Sequence, residues 1–375
     1  MNVTDTSTDD LRVGVIGLGF AGSTHLDAFT DLPGATVVAL AGQEPARLEE
    51  LGRSRGVPHL YADWQDLVAR DDLDIVSIGV PNDLHHPIAM AALQSGKHVF
   101  CEKPLATTGD LAAEMVAEAK AADRVLEVAY NHRRRADVAF LGDFLADDPI
   151  GEIYHARASW LRRSAIPGLG SWFTSRATAG GGPLIDLGSH VLDIALHLMG
   201  EPRVVTASAV TYNELGRRGR GGGTKVPASS DGTHAFDVED FASALLRFDT
   251  GASLLLQASW ASYSKNHEDI EVELLGSTGG ARLHVDDYST EGTLTLYSDV
   301  EGVPTVARPA VHVPAGHHRT VIAGFLEAIR QGEGASAPRY TNHYGEYALH
   351  RSRVVDAIYA SAAAGHEVEV EGEAL

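Results

Sequence analysis

The chain has 375 residues, and at about 150 residues per domain that makes two or three folding units, enough to bury full hydrophobic cores. With 30 Lys and Arg against 51 Asp and Glu the formal charge is −21, which repels phosphate backbones and anionic lipid, and no apolar run approaches the roughly 18 residues of a membrane helix, so nucleic acid and membrane are set aside as partners. A single cysteine, Cys101, rules out an intramolecular disulfide, and a polar, acidic segment over 1–10 in place of an export signal points to a cytoplasmic protein with a disordered leader.

From Arg12 onward strand and helix alternate. Val13-Gly14-Val15-Ile16 reads as a buried strand, Gly17 to Gly22 as a turn, and the stretch through His25, Leu26 and Phe29 as an amphipathic helix. After the Pro33-Gly34 turn a second strand runs over 36–41, followed by a polar helix over 45–55. Residues 74–80 form a third apolar run ending at Pro81, and a helix over 86–95, stopped by Gly96, leads to a strand over 98–101. Thr108 caps a helix reaching Ala122, and 125–129 supplies one more strand. Short apolar strands separated by helices imply a parallel sheet covered on both faces, the doubly wound Rossmann α/β fold, expected here over 1–131.

The turn Gly17-Leu18-Gly19-Phe20-Ala21-Gly22 closes a strand, opens a helix and begins a unit that returns to a second strand within about 30 residues, the context in which G-x-G-x-x-G binds a dinucleotide. Gly17 and Gly19 allow a tight turn and close approach of a pyrophosphate. Gly22 lets the helix pack near the strand, and the backbone of Phe20 and Ala21 presents the helix N-terminus to the anion. The position that usually carries a ribose-binding carboxylate, about 20 residues on, is Gly42. Without that anion a 2′-phosphate is not repelled, and Arg47 can reach it from the next helix, which leans the cofactor, NAD(P), towards NADP; Gln43 serves an unphosphorylated ribose equally well. Ligands of doubly wound sheets lie beyond the carboxyl ends of the strands, so Asn82, His85, Glu102, Lys103 and Asn131 join the cofactor candidates. His85 has a second reading as a cap of the helix near His86 and Pro87.

Phe100-Cys101-Glu102-Lys103-Pro104-Leu105 resembles the Glu-Lys-Pro signature of the glucose-fructose oxidoreductase, inositol dehydrogenase and MocA (Gfo/Idh/MocA) family. Pro81-Asn82-Asp83-Leu84-His85 resembles that family's loop after the third strand, which adds Pro81 to the cofactor set. The run from Gly180-Gly181-Gly182-Pro183 through Asp186 and His190 to Asp193 resembles its glycine-led active-site helix, and the helix around Ala357-Ile358-Tyr359 fits as well. The likeness spans Gly14 to Asp193. It departs at Gly42, where many NAD-using relatives have Asp, and in a Gly/Arg-rich insertion over 216–224. It implies a nicotinamide-dependent oxidoreductase in which Lys103, Asp186 and His190 are catalytic and Asp193 is a supporting residue, a structural partner of the helix rather than a chemical participant.

The residues themselves allow the same chemistry. Oxidising an alcohol takes a hydride acceptor, a base for the hydroxyl proton and positive charge beside the developing alkoxide. Lys103, just after a strand of the nucleotide-binding half, is the candidate for the charge. Asp186, His190 and Asp193, spaced four and three apart, share one helical face, where an imidazole accepts a proton near neutral pH and Asp186 holds the substrate or orients the ring. Two carboxylates and an imidazole also suit a divalent cation; a neighbouring lysine opposes one and no further His or Cys stands at ligand spacing, so no metal is expected. Trp172 offers an aromatic face to a sugar ring, with ordinary core packing as its alternative, and Tyr154, Arg162, Arg163 and Arg176 are further lining candidates. The substrate-binding set is therefore Lys103, Trp172, Asp186 and His190. His317 and His318 have no companion motif and read as surface residues.

After Tyr130 the pattern changes. Strands over 151–163, 204–211, 241–248, 252–260, 270–275 and 294–298, with short links such as Asp249-Thr250-Gly251, imply a largely antiparallel sheet with helices on one face and the other face open. The fold class is thus α/β plus α+β, with a substrate-binding and oligomerisation domain over 132–375, and the open face suggests a homodimer or homotetramer. Residues 216–232, glycines interspersed with Arg217, Arg218, Arg220 and Lys225, read as a surface loop or as a lid or phosphate clamp. The expected activity is hydride transfer between nicotinamide and a hydroxyl or ketone of a sugar, cyclitol or polyol. Two rivals use the same parts: a glycoside hydrolase working by transient oxidation and elimination, and a non-catalytic nucleotide or sugar sensor. Free sugar released without net reduced cofactor marks the first; tight cofactor binding without turnover marks the second.

Overall fold

The computed structural model describes residues 10–222, 236–314, 317–331 and 344–372, and the chain divides into two units. One comprises the described residues through Asn131 and those from 317 to Leu349. The other runs from His132 to 314 and resumes at His350, within a helix, Glu346–Ala364. The expected leader lies outside the described residues except for Asp10, whose carboxylate accepts from the Thr36 hydroxyl at 3.0 Å.

The first unit is a six-stranded parallel sheet: β1 (Leu11–Ile16), β2 (Ala35–Ala41), β3 (His59–Tyr61), β4 (Ile75–Ile78), β5 (His98–Cys101) and β6 (Leu126–Val128), in the order β3-β2-β1-β4-β5-β6. The strands are apolar on both sides because both sides are covered. Val13, Val15, Ile75 and Phe100 face one core, while Ile16, Val76, Ile78, Val99 and Cys101 face the other. The first core is closed by α1 (Phe20–Asp31) and α2 (Pro45–Arg55), the second by α3 (Trp64–Val68), α4 (His85–Gln94) and α5 (Gly109–Ala122). The Thr108 hydroxyl accepts the Leu111 N–H at 3.3 Å, the cap read from the sequence.

Two elements of this unit were not anticipated. β3 is three residues long and largely exposed at the sheet edge, and α3 is five residues long; neither is long enough to show a period. The third apolar run is accordingly the fourth strand. A late segment also completes this unit: the helix His317–Gln331 places Val321, Ile322 and Phe325 in the first core, with the Phe325 ring 5.5 Å from that of Phe100. Arg330 ties the same helix to the Gly34 carbonyl at 2.9 Å.

The second unit is a nine-stranded sheet. Its strands are β7 (Ile153–Arg162), β8 (Val204–Tyr212), β9 (Phe241–Phe248), β10 (Ser253–Ser259), β11 (Glu268–Gly276), β12 (Gly279–Asp286), β13 (Leu294–Val300), β14 (Val303–Ala307) and β15 (Val368–Glu369), in the order β14-β13-β12-β11-β7-β10-β9-β8-β15. All neighbours are antiparallel except β7 and β10. Burial alternates along the strands, with Ala242, Ala244, Leu246 and Phe248 inward on β9 and Ile270, Val272 and Leu274 inward on β11; the helix Ser189–Leu198 packs on β7 and β11. On the opposite face Val210 and Tyr212 are exposed, Leu245 and Leu255 are half-buried, and Arg157 pairs with Glu273 at 3.0 Å.

Gly251, at φ 88°, closes the β9–β10 hairpin, as the Asp-Thr-Gly link implied. β12, β14 and β15 were not foreseen. β12 opens on Gly279-Gly280 only two residues after β11 ends, so its start carries no strand signal. Of the Gly/Arg-rich stretch, Gly216–Arg218 form a 3₁₀ turn and 223–232 lie outside the described residues. Among the described residues no helix is long and apolar enough to cross a membrane.

Candidate active site

The sheet order reverses between β1 and β4, and the glycine turn stands there. Gly17 has φ 108°, and a Cβ on it would lie 2.1 Å from the Gly79 carbonyl oxygen. A Cβ on Gly22 would lie 2.0 Å from the Gly17 oxygen, so this glycine lets the helix start fold over the turn itself. Gly19 differs: a Cβ there meets nothing within 4 Å. It stands at the N-cap of α1, whose first turn has no side-chain cap. Open space over uncapped backbone N–H groups at a helix start fits a dinucleotide pyrophosphate, with Phe20, which is 84% exposed, and Ala21 beside it.

Around this cradle the other cofactor candidates fall into two groups. Gly42, Gln43 and Arg47 follow β2. A Cβ on Gly42 would come within 2.3 Å of Leu18 Cγ, so a side chain there needs the Leu18 side chain to shift. Arg47 is exposed, pairs with Glu50 at 2.9 Å and reaches Ser23 Oγ at 3.4 Å. Pro81, Asn82 and His85 follow β4; Asn82 is buried in a short 3₁₀ turn, Asn82–Leu84. His85 is fully buried at the start of α4, and its ring nitrogens face backbone carbonyls, Nδ1 that of Pro104 at 2.8 Å and Nε2 that of Val80 at 3.0 Å. Burial holds its pKa below the usual imidazole value against those two carbonyls and the Glu102 charge.

Glu102, Lys103 and Pro104 leave β5 through a cis Lys103–Pro104 bond. The Glu102 carboxylate takes hydrogen bonds from His25 at 3.1 Å, His318 at 3.2 Å and the Lys103 N–H at 3.2 Å. Burial pushes its pKa up, but the two imidazoles outweigh burial and hold it well below the usual carboxylate range. His318 is thus packed against Glu102, not a surface residue, because the helix that carries it returns to the first unit; the side chain of His317 lies outside the described residues. Asn131 presents its amide to His318 Nδ1 at 3.5 Å. Sequence reasoning had no signal for His25 or His318, whose partner is 77 or 216 positions away.

Asp186 and His190 belong to the second unit. The segment Leu184–Gly188 is a π-turn that runs directly into the helix Ser189–Leu198. Its entry is held by the buried Glu239, whose carboxylate accepts the N–H groups of Gly182 at 3.1 Å and Leu184 at 3.0 Å and the Tyr359 hydroxyl at 2.9 Å. A Cβ on Gly181 would lie 1.9 Å from that hydroxyl, and one on Gly182 2.1 Å from the Glu239 carbonyl oxygen. The glycine run and Tyr359 therefore read together as one packed joint.

Within this unit Trp260 donates its indole N–H to Asp186 Oδ2 at 2.8 Å, and the His190 ring lies 4.7 Å from that of His132 and 5.6 Å from that of Trp160. Arg162 pairs with Glu268 at 2.6 Å; burial weakens its hold on its proton, and the charges of Asp186 and Glu268 more than offset that. Asp193 turns to a different task. Fully buried, it pairs with Arg133 and, at 3.1 Å, with Arg351, whose charges depress its pKa against the opposing effect of burial. Trp172 is half-buried and stacks on Phe173 with ring centroids 3.8 Å apart, Arg163 donates to the Ser264 carbonyl, Arg176 sits over the Tyr359 ring, and Tyr154 is exposed. Among the described residues the one trio with ligand atoms close enough for a metal is His25, Glu102 and His318, not Asp186, His190 and Asp193.

A family model described as "Oxidoreductase family, NAD-binding Rossmann fold" matches residues 11–130, and one described as "GFO/IDH/MocA C-terminal domain" matches residues 139–282. Levoglucosan dehydrogenase of Pseudarthrobacter phenanthrenivorans is 32% identical over 96% of this chain and 98% of its own length. D-glucoside 3-dehydrogenase of Escherichia coli is 32% identical over 74% of this chain and 78% of its own. The solved structure of levoglucosan dehydrogenase with NADH and levoglucosan superposes with a TM-score of 0.81 at 27% identity, covering 97% of this chain and 100% of that one.

Proposed function

Because this chain belongs to the Gfo/Idh/MocA oxidoreductase family, we propose that it transfers a hydride between a nicotinamide dinucleotide and a hydroxyl or ketone of a sugar, cyclitol or related polyol. The observation that carries the reading is the cradle at Gly17, Gly19 and Gly22, open where a pyrophosphate has to approach. Relatives named for levoglucosan and for D-glucosides support a pyranose-like substrate.

The nicotinamide ring supplies the hydride acceptor. His190 takes the hydroxyl proton during oxidation and returns it during reduction. Lys103 places positive charge beside the developing alkoxide. Asp186 orients the substrate, itself held by the Trp260 indole N–H. Trp172 packs on the sugar ring, and Pro81, Asn82, His85, Glu102 and Asn131 shape the cofactor's surroundings, His85 and Glu102 doing so through the backbone they hold. Lys103→Ala and His190→Ala are each expected to remove most of kcat while leaving cofactor affinity near the wild-type value; near-normal turnover in both contradicts the assignment.

Of the two dinucleotides the proposal favours NADP. Gly42 leaves the end of β2 without a carboxylate, and the exposed Arg47 guanidinium, once released by Glu50, can pair with a 2′-phosphate. Arg47→Ala then weakens NADP and spares NAD; equal loss for both contradicts the preference. We further take the protein to work in the cytoplasm as a homodimer or homotetramer. A lone buried thiol suits a reducing compartment, and the face of the nine-stranded sheet that carries Val210, Tyr212, Leu245 and Leu255 suits self-association. The native mass in solution tests the second point: a monomer at working concentration refutes it.

A further inference from the structure

The turn that carries Lys103 is braced by imidazoles the proposed chemistry does not use. Glu102 Oε1 accepts from His25 on α1 and from His318 on the helix His317–Gln331, at 3.1 and 3.2 Å, while Oε2 accepts the backbone N–H of Lys103 at 3.2 Å. Each imidazole is itself aimed. The Ser77 hydroxyl lies 3.0 Å from His25 Nδ1, and the Asn131 amide nitrogen lies 3.5 Å from His318 Nδ1. A carboxylate only accepts, so in the contact with Glu102 the His318 Nε2–H is the donor. His25 is fully buried, and the side chains of Glu102 and His318 are only 12% and 16% exposed, so water does not readily replace a lost donor. Beyond Lys103, His85 stands between the carbonyls of Pro104 and Val80.

We infer that His318 is a positioning residue for Lys103: by holding the Glu102 carboxylate it fixes the backbone from which the lysine side chain leaves, and so ties a helix 216 positions further along the chain to turnover. The inference rests on the catalytic role proposed for Lys103. His25 and His318 divide the work, since one aims the carboxylate from α1 and the other from the late helix, and losing either lets the carboxylate turn and release the Lys103 N–H. The same three ligand atoms lie within 4.8 Å of one another, the spacing of a small divalent-cation site, but the two ring N–H groups and the carboxylate already satisfy one another.

The chain has five lysines, at 97, 103, 120, 225 and 265, few enough for each ¹³C-dimethylated amine to be resolved by NMR, with Lys103→Arg identifying the Lys103 signal. The experiment compares wild type, His318→Ala and His318→Gln, the last retaining an N–H donor. In His318→Ala the Lys103 signal is expected to move to the shift of a free dimethyl-lysine, kcat to fall about tenfold or more, and cofactor affinity to stay within about threefold of wild type; His318→Gln recovers most of both readouts. An unmoved Lys103 signal in His318→Ala, equal losses in the Ala and Gln variants, or a stoichiometric metal ion lost on mutation overturns the inference. The NMR readout needs no substrate. A wild-type protein that fails to turn over sugars while its Lys103 signal responds to His318 refutes the proposed function and leaves the positioning intact.

Discussion

Replacing Gly19 and Gly22 by alanine separates the two jobs of the glycine turn. A Cβ on Gly22 falls 2.0 Å from the Gly17 carbonyl oxygen, so this carbonyl must retreat by about 1.4 Å to reach ordinary contact at 3.4 Å. Its retreat is opposed by the Gly17 N–H, which is bonded to the Ala41 oxygen at 3.0 Å. Gly22→Ala therefore costs both stability and cofactor binding. At Gly19 a Cβ meets no protein atom within 4 Å and the backbone, at φ −74°, accepts an L side chain. The change at that N-cap is worth within about 1 kcal/mol in either direction, which for a domain of this size moves Tm by no more than about 2–4 °C. Its methyl group, however, enters the space proposed for the pyrophosphate. Charge-assisted hydrogen bonds from the helix N-terminus are worth about 1.5–3 kcal/mol each, so disturbing two raises Kd by about 100-fold or more. Fluorescence titration with NADH and NADPH, alongside a thermal melt, reads both quantities. Gly19→Ala with a wild-type Kd would refute the placement of the cofactor.

Two further perturbations test the supporting structure. His98, His197 and His350 are held neutral, mainly by burial and next by Arg124, Arg133 and Arg351, with folded pKa values of about 4, about 3 and about 4. Their folded pKa values lie below the unfolded value of about 6.5, so the stability they contribute is present above about pH 6.5 and drains away as pH falls towards about 4, at up to about 1.4 kcal/mol per unit for each and less for the partly solvated His98. Urea midpoints that stay flat between about pH 7.5 and about pH 5 would contradict this. Tyr359→Phe strips one donor from the buried Glu239 carboxylate, whose pKa burial already raises, and is expected to cost about 1–3 kcal/mol in urea unfolding; a change under about 0.5 kcal/mol means the joint with the glycine run is not held by that hydroxyl.

The nucleotide-binding unit was readable because its signals are local. The glycine turn, the Thr108 cap and the apolar strands each lie within one short window, and helices between short apolar strands imply a parallel sheet covered on both faces, without giving the strand order. What escaped was carried by distance in sequence. His318 looked like a surface residue because its partner, Glu102, stands 216 positions earlier and no period links them. The helix around it reads as amphipathic but does not say which sheet it serves. Glu239 and Tyr359, which close on Gly181 and Gly182, are likewise brought together only by folding, and the need for glycine there is a matter of a 1.9 Å approach, not of turn chemistry. The spacing of Asp186, His190 and Asp193 gives one shared helical face with Asp193 as a structural support, but no local pattern showed its partners, Arg133 and Arg351, which stand 60 and 158 positions away. β3 and β12 were hidden by brevity and by a glycine pair.

The central claim, direct hydride exchange between a carbon-bound hydrogen of a polyol and nicotinamide, is tested by supplying C-deuterated sugars and cyclitols with NAD and NADP in ordinary water and examining the reduced dinucleotide by mass spectrometry. One deuterium per reduced cofactor is predicted, and none when unlabelled sugar is used in heavy water. Reduced cofactor that carries only solvent hydrogen, or a purified chain that binds neither dinucleotide, would contradict it.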